Sequence, residues 1–262
     1  MSADGNDANH VLTELDAGIL CIRLNRPEKK NAVTQAMYVA LFEALERADQ
    51  DDEVRVLFIT GVGGSFCAGN DVADFLTLTG DADANPGIRF IKALPMIRKP
   101  VVAAVNGAAV GIGTTMLLHF DLVYAAEGTR FRLPFVNLGL CPEAASSYLL
   151  PRMAGHQRAA EMLLLGQPFD AQTARDVGIV NAVLPTEDLL DAAMAKAREF
   201  AAQPPRALQV TRALMRHGIT EILSETIDRE MEHFVQLTRS PEAAEAVQAF
   251  LQRRKPDFSK LK

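Results

Sequence analysis

The sequence predicts an α/β core followed by a C-terminal helical region. Ahead of Glu143, buried-strand patterns alternate with helical patterns, which is the rhythm of βαβ units in a mostly parallel sheet. From about Glu143 onward the patterns are helical, with one strand pattern among them. The 262 residues suit one large domain, or one domain with a helical appendage. We therefore expect a core over residues 1–200 and a helical region over residues 201–262.

Alternating or continuously apolar runs mark the predicted strands. Two short alternating segments flank Asp16, Ala17 and Gly18, which indicates a β-hairpin. The later runs are more continuously apolar, as expected for strands buried on both faces. The predicted strands cover residues 10–25 as a hairpin, 54–61, 101–107, 122–134 and 179–185.

Apolar residues at helical spacing mark the predicted helices. Thr34 suits the N-cap of the first helix, and glycines open the helix that follows strand 101–107. In the core the predicted helices cover residues 34–51, 72–78, 88–99 and 110–121. In the second part they cover residues 143–155, 156–166, 170–178, 187–203, 205–218 and 227–255.

Composition excludes several classes of protein. The net charge is −6 and the basic residues are scattered, so nucleic acid is not an expected partner. Three widely spaced cysteines, without a C-x-x-C pair, argue against a disulfide framework or a structural zinc site. No apolar run reaches the roughly 18 residues of a membrane span, and the N-terminus lacks the features of a secretion signal. We expect a cytoplasmic protein with no membrane or metal partner.

Two glycine-containing loops follow buried strands, "SFCAGND" and "NGAAVGIG". Ligands of open α/β sheets bind at the carboxyl ends of the strands. Neither loop fits a nucleotide motif, because the first lacks a phosphate-loop lysine and the second lacks the third glycine of a dinucleotide fingerprint. Their free backbone N–H groups, one at a helix start, could instead point at one oxygen and form an oxyanion hole. The alternative is that both loops are tight turns without a ligand.

Three stretches carry a resemblance to a known family: "LNRPEKKNAVT", "SFCAGNDVADF" and "PVVAAVNGAAVGIGTTMLLHFDLVYAAEGTRFRLPFVNLGL". In this order they resemble the signatures of the crotonase (enoyl-CoA hydratase/isomerase) superfamily, and the resemblance covers nearly the whole chain. It implies a ClpP-like crotonase fold of repeated ββα units and an acyl-CoA thioester substrate. It also implies a homotrimer or a hexamer built as a dimer of trimers, with residues 201–262 as the trimerisation region. No separate cofactor is implied, since coenzyme A is part of the substrate.

The resemblance also implies roles for individual residues. The oxyanion donors would be the N–H groups of Ala68 and Ile112, the "AGNDV" segment would meet the adenine, and a lysine of "EKK" would approach the CoA phosphates. The implied substrate-binding residues are Lys29, Lys30, Ala68, Gly69, Asn70, Asp71, Val72, Gly111, Thr115, Phe135 and Leu138.

The acid and base groups decide the reaction within this superfamily. Hydratases of the family use two glutamates, and the matching positions here hold Thr115 and Phe135. Neither side chain can act as a base near neutral pH, so syn addition of water is disfavoured. The stretch "LPFVNLGLCPEAASSYLLPRMAG" resembles peroxisomal-type Δ3,Δ2-enoyl-CoA isomerases, whose Pro-Glu glutamate is the base and matches Glu143.

A single carboxylate suffices for such an isomerase, because the base that removes a proton at C2 can return it at C4. An apolar setting should raise the pKa of Glu143 and make it a better base. The alternative for Glu143 is a first-turn acid that interacts with a helix dipole, and both roles are compatible. The alternatives for the protein are an enoyl-CoA hydratase or other crotonase-type acyl-CoA reaction, and a non-catalytic acyl-CoA-binding protein.

Other polar residues have simpler interpretations. We expect Asp71 and Asp74 to cap the helix over residues 72–78, and Cys67 to be a packed thiol without an activating histidine. His119 should be a hydrogen-bonded core residue.

Overall fold

The computed structural model describes residues 10–71 and 85–261, in which helices cover a large β-sheet and a smaller sheet lies beside it. The strands are β1 (Val11–Asp16), β2 (Ile19–Leu24), β3 (Val56–Gly61), β4 (Val101–Val105), β5 (Ala108–Val110), β6 (Leu122–Ala126), β7 (Arg130–Arg132), β8 (Phe169–Asp170) and β9 (Ala182–Leu184). The helices are α1 (Gln35–Gln50), α2 (Pro86–Ala93), α3 (Ile112–Thr115), α4 (Ser146–Ala154), α5 (His156–Ala160), α6 (Ala171–Asp176), α7 (Leu189–Ala202), α8 (Pro205–Met215), α9 (Thr220–Leu237) and α10 (Pro241–Leu251). The predicted helix over residues 72–78 lies outside the described residues.

The large sheet has the strand order β1-β2-β3-β4-β6-β9. Only β1 and β2 pair antiparallel; every other neighbouring pair is parallel, as the βαβ rhythm predicted. The small sheet has the order β5-β7-β8. Successive strands such as β4 and β5 therefore enter different sheets before the chain turns into a helix, which agrees with the expected β-β-α order.

The predicted hairpin at the N-terminus is confirmed. Its register pairs Asp16 with Ile19, so the turn is the two residues Ala17 and Gly18. Both residues have positive φ angles, 47° and 80°. A two-residue type I′ turn requires positive φ at both positions, and its twist matches that of the two strands it joins.

Helices cover both faces of the large sheet. On one face, Ala193, Ala197 and Ala201 of α7 pack against side chains of β2, β3 and β4. On the other face, α1 and α2 join a larger core that also takes in the small sheet. Thr34 caps α1 as expected, its hydroxyl accepting a hydrogen bond from Met37 N–H at 3.2 Å. Strands buried on both faces explain the nearly continuous apolar runs of the sequence.

Five predicted elements are divided in the structure. The helix predicted over 227–255 is the two helices α9 and α10, and the helix predicted over 156–166 is α5 followed by a π-helical turn over 161–165. The helix predicted over residues 88–99 ends at Ala93 and continues as a 3-10 turn over 94–96, since Pro95 cannot continue an α-helix. The helix predicted over 110–121 is one α-turn, α3, followed by a 3-10 turn over 116–119. The strand predicted over 122–134 is two strands, β6 and β7, because a turn closed by Thr129 N–H and Ala126 O redirects the chain into the small sheet.

The helical second part contributes more than an appendage. Helix α9 packs against α2 and against α4, so it lies beside the segment that precedes α4. The expected boundary at residue 200 falls within the last turn of α7. No helix among the described residues is both long enough and apolar enough to cross a membrane.

Candidate active site

The loop after β3 is anchored by a buried asparagine of the "EKKNAVT" stretch. Asn31 is 0% exposed and has a φ angle of 57°. Its side-chain Nδ2 donates to Val62 O at 3.0 Å and to Ser65 O at 2.7 Å. Its Oδ1 accepts from Arg26 N–H at 2.7 Å. The Asn31 side chain therefore links its own segment, which precedes α1, to the loop after β3.

The two glycine-containing loops lie side by side. Cys67 N–H donates to Ala108 O, and Val110 N–H donates to Cys67 O, each at 2.9 Å. A β-carbon at Gly113 would lie 2.6 Å from Cys67 O, which no side chain could tolerate without a shift of backbone. Glycine at 113 therefore permits α3 to begin directly against the first loop.

The backbone N–H groups of the first loop are used unequally. Ala68 N–H donates to Lys30 O at 3.0 Å and Asp71 N–H donates to Val33 O at 2.9 Å. Gly69 N–H contacts the Cys67 thiol. Asn70 N–H has no acceptor among the described residues. The bond to Lys30 contradicts the expected role of Ala68 as an oxyanion donor, and the next unbonded amide along the described part of this loop is that of Asn70.

The second loop offers an amide at the start of α3. Ile112 is the first residue of that helix, after Gly111 with a φ angle of 54°. The first amides of a helix have no intrahelical acceptor. Within the described parts of the chain no other group accepts from Ile112 N–H. The Ile112 N–H is therefore free to donate to a ligand, as the expected role of an oxyanion donor requires.

Glu143 lies in the core, 2% exposed. Its Oε1 is 3.5 Å from Thr115 Oγ1, at the long limit of a hydrogen bond. Burial raises the pKa of Glu143 to about 8; the negative charge of Glu230 adds to the increase, and the Thr115 contact opposes it. The carboxyl group is therefore a much stronger base than a solvated glutamate.

The backbone after Glu143 adopts an uncommon conformation. Ala144 and Ala145 have φ angles of 56° and 55°, in the left-handed region that favours glycine. Ala144 O contacts His119 Nε2 at 2.8 Å, and Ala145 N–H donates to Glu230 Oε2 at 2.7 Å. These contacts on either side hold the turn that directs Glu143 inward.

The remaining residues of the predicted site differ in how far they are buried. The Tyr38 hydroxyl donates to Asn70 Oδ1. Phe135 is 4% exposed and Leu138 is half-buried beside it in a 3-10 turn. Lys29 and Lys30 are exposed, near the first loop through the Lys30 carbonyl. Val72 lies outside the described residues.

Other interpretations of polar residues can be compared with the structure. Asp71 Oδ2 pairs with Arg26 Nη1 at 2.6 Å; the helix it was expected to cap lies outside the described residues. Burial raises the pKa of the Cys67 thiol to about 12, which fits a packed, unreactive thiol. His119 is 2% exposed and its Nε2 contacts Ala144 O at 2.8 Å, so it is the hydrogen-bonded core residue that was expected. Burial lowers its pKa to about 4.

Sequence reasoning missed three contributors: the Asn70 amide as a donor, Tyr38 and Glu230. Val33 forms a parallel bridge with Asn70 by bonding to the two residues on either side of it, Gly69 and Asp71, so the Asn70 amide itself faces away from Val33. That pairing partner is distant in sequence and no local pattern reveals it. In the sequence Glu230 is one of several acidic residues on an amphipathic helix. It is 85 residues from Ala145, so no local pattern indicates their contact.

Comparison with known proteins shows the family of this chain. The family model described as Enoyl-CoA hydratase/isomerase matches residues 14–261. The chain is 36% identical over 259 residues to 1,2-epoxyphenylacetyl-CoA isomerase of Escherichia coli (strain K12), covering 95% of this chain and 98% of that protein. It is also 36% identical over 260 residues to Enoyl-CoA delta isomerase 2 of Rattus norvegicus, covering 96% of this chain and 66% of that protein.

A solved structure confirms the expected fold. The enoyl-CoA hydratase/isomerase from Pseudoalteromonas atlantica T6c superimposes with a TM-score of 0.91 at 38% identity, covering 95% of this chain and 100% of that one. The crotonase fold expected from the sequence motifs is therefore present. From its sequence, fold and site together, the chain is an acyl-CoA enzyme of the enoyl-CoA hydratase/isomerase family.

Proposed function

We propose that this enzyme moves the double bond of a 3-enoyl-CoA to the C2 position, with Glu143 as the base. The observation that carries the proposal is the buried Glu143 carboxyl, which has a raised pKa and contacts Thr115. A base of this strength suits removal of the weakly acidic proton at C2 of a thioester. The relative named Enoyl-CoA delta isomerase 2 supports this choice among the activities of the family.

The proposed reaction balances on one carboxylate. Glu143 takes the proton from C2, and the C2–H electrons pass into the thioester carbonyl to give a dienolate. The same carboxyl then returns the proton to C4, and the double bond comes to lie between C2 and C3. The scheme uses no cofactor beyond the CoA thioester.

We propose the N–H groups of Asn70 and Ile112 as the donors that hold the thioester oxygen. Both amides are free among the described residues, and the Cys67–Ala109 pairing sets their two segments side by side. Preorganised donors stabilise the charge that develops on the oxygen, and loss of one typically costs about 3–4 kcal/mol. Exposed Lys29 and Lys30 are proposed to approach the CoA phosphates.

The proposed activity is tested by incubating the purified enzyme separately with a 3-enoyl-CoA and a 2-enoyl-CoA. Conjugation with the thioester raises the ultraviolet absorbance and hydration lowers it. We expect conjugation of the first substrate and slow or no hydration of the second. Hydration as the main reaction would favour the hydratase alternative, and binding of both thioesters without turnover would favour the non-catalytic alternative.

The role of Glu143 is tested with Glu143→Gln, which keeps the size of the side chain and removes the base. We expect isomerisation to fall by roughly 10²- to 10⁴-fold, the usual contribution of a general base. Glu161→Gln, at an exposed position, is the control and should retain activity. Retention of activity by Glu143→Gln would refute the assignment of the base.

We also propose that residues 201–262 mediate a homotrimer or a hexamer. Leu214 and Met215 on α8 are 69% and 74% exposed, and a subunit contact would remove such apolar surface from water. Light scattering of the purified enzyme measures the mass and tests this directly. A monomer at micromolar concentration would rule it out. The cytoplasmic localisation stays a prediction.

A further inference from the structure

Glu230 is a buried carboxylate on α9 that the proposed reaction does not use directly. It is 7% exposed. Its Oε2 accepts from Ala145 N–H at 2.7 Å, and its Oε1 accepts from Ser147 N–H at 3.0 Å and from the Ser147 hydroxyl. All of these donors lie within four residues of Glu143 in sequence. A carboxylate that accepts several N–H and O–H bonds is well suited to holding a backbone segment.

The segment that Glu230 binds needs such support. Ala144 and Ala145 are consecutive residues in the left-handed region, where a side chain costs roughly 1–2 kcal/mol per residue. Strained residues of this kind persist when the surroundings fix them. The turn also presents amides that its own α4 cannot satisfy, because Ala145 precedes that helix. Glu230 accepts these hydrogen bonds from one side, and His119 contacts Ala144 O from the other.

We propose that Glu230 is a positioning residue that fixes the turn over residues 144–147 and thereby aims the Glu143 carboxyl. The role has an electrostatic half as well, because the hydrogen bond from Ala145 holds the Glu230 carboxyl against the segment that carries Glu143. The proposal rests on the proposed function for its kinetic consequences. Its geometric basis is the set of hydrogen bonds from Ala145 and Ser147 to Glu230. Glu230 does not touch the substrate in this scheme.

The electrostatic half of the proposal depends on the groups that act on Glu143. Among the described residues, Glu230 from α9 raises the pKa of Glu143 and the contact with Thr115 from α3 lowers it. Glu143 in turn raises the pKa values of three nearby groups, Tyr38 from α1, Cys67 from the first loop and Cys141 from the preceding segment. Burial raises the pKa values of Cys67 and Cys141 to about 12 and 11, and that of Tyr38 well above its usual value, so all three are neutral near pH 7. This leaves Glu230 as the acidic group whose charge adds to the raised pKa of Glu143.

The ionisation of Glu230 itself has opposing causes. The pKa of Glu230 is raised overall, because burial raises it by more than the hydrogen bonds from Ser147 and Ala145 lower it. A backbone N–H can only donate, and each oxygen of Glu230 receives one. Both oxygens must therefore present lone pairs, which favours the ionised form.

The test compares Glu230→Gln with Glu232→Gln, which changes the same charge at an exposed position of α9. The pKa of Glu143 is measured without substrate by infrared titration of protonated carboxyl groups, with Glu143→Gln as the blank. We expect Glu230→Gln to lower the pKa of Glu143 and the control to leave it unchanged. An unchanged pKa in Glu230→Gln would overturn the electrostatic half.

The positioning half is read from kinetics above pH 9, where Glu143 is ionised in every variant. We expect kcat of Glu230→Gln to fall about tenfold and KM to stay within about twofold of wild type. The tenfold fall corresponds to the loss of about one hydrogen bond to a charged group. A purely structural role would lower the amount of folded enzyme and not the rate per folded molecule. An unchanged kcat at this pH would overturn the positioning half.

Two further measurements keep the outcomes separate. If Glu230→Gln does not fold, Glu230→Asp replaces it, since aspartate keeps the charge on a shorter side chain. We expect Glu230→Asp to keep the pKa of Glu143 raised and to lower kcat. An unchanged kcat would overturn the positioning half. If the wild-type enzyme does not isomerise a 3-enoyl-CoA, the proposed function fails, but the infrared titration still decides whether Glu230 acts on Glu143.

Discussion

Thr115 Oγ1 lies 3.5 Å from Glu143 Oε1, although 28 residues separate them in sequence. Thr115 ends the single turn of α3, and Ile112 with its free amide begins that turn. The same short helix therefore connects a candidate donor for the thioester oxygen to the candidate base.

The donor role of the Ile112 amide can be tested without disturbing the helix. Proline is well accepted at the first position of a helix and has no N–H group. We expect Ile112→Pro to fold and to lose roughly 10²- to 10³-fold in kcat, as for removal of an oxyanion donor. Ile112→Val keeps the amide and should retain most of the activity. Circular dichroism checks the fold, and a folded proline variant with a wild-type rate would contradict the donor role.

The pH dependence of the rate follows from the raised pKa of Glu143. The base must be ionised, and burial raises its pKa to about 8. We therefore expect kcat/KM to rise about tenfold per pH unit below pH 8 and to level above it. The measurement is the initial isomerisation rate between pH 5.5 and 9.5 at low substrate concentration. A profile that is already level at pH 6 would show that the free enzyme does not hold Glu143 protonated.

The same pKa has a consequence for stability. Folding raises the pKa of Glu143 from 4.5 to about 8, so between these values the folded state binds more protons than the unfolded state. The contribution of Glu143 to stability is thus fully present below pH 4.5 and is lost as the pH rises through 8. We expect Glu143→Gln, which cannot ionise, to gain in Tm relative to wild type as pH increases from 5 to 8. Calorimetry at several pH values measures this, and a constant difference in Tm would contradict it.

The close contact of the two loops predicts a large effect of a single methyl group. A β-carbon at Gly113 would lie 2.6 Å from Cys67 O, whereas one at Gly128 has nothing within 4 Å. We expect Gly113→Ala to destabilise the protein by about 1–3 kcal/mol, the usual cost of overpacking, and to lower kcat by separating the loops. Gly128→Ala is the matched control and should change neither quantity. The measurements are urea unfolding and the isomerisation rate.

Much of the fold could be predicted because its signals are local. Asp16 to Gly18 indicated the hairpin, Thr34 indicated the start of α1, and apolar runs indicated the parallel strands. The division of residues 122–134 into β6 and β7 could not be predicted, because the two strands are continuous in pattern and differ only in the sheet they join. The extent of α3 was overestimated for a similar reason, since a 3-10 turn has nearly the same apolar spacing as an α-helix.

By itself, the sequence determined the family and singled out Glu143, since motif order and the acidic residue after Pro142 are properties of the chain. Only the tertiary structure decided which amides are free: the N–H groups of Ala68 and Asp71 donate to the carbonyl oxygens of Lys30 and Val33, whereas that of Asn70 has no acceptor among the described residues. It also brought Glu230 to the turn after Glu143. The physical reason is that neighbouring groups decide whether an N–H group has an acceptor and what pKa a carboxyl group has. Those neighbours come from distant parts of the chain.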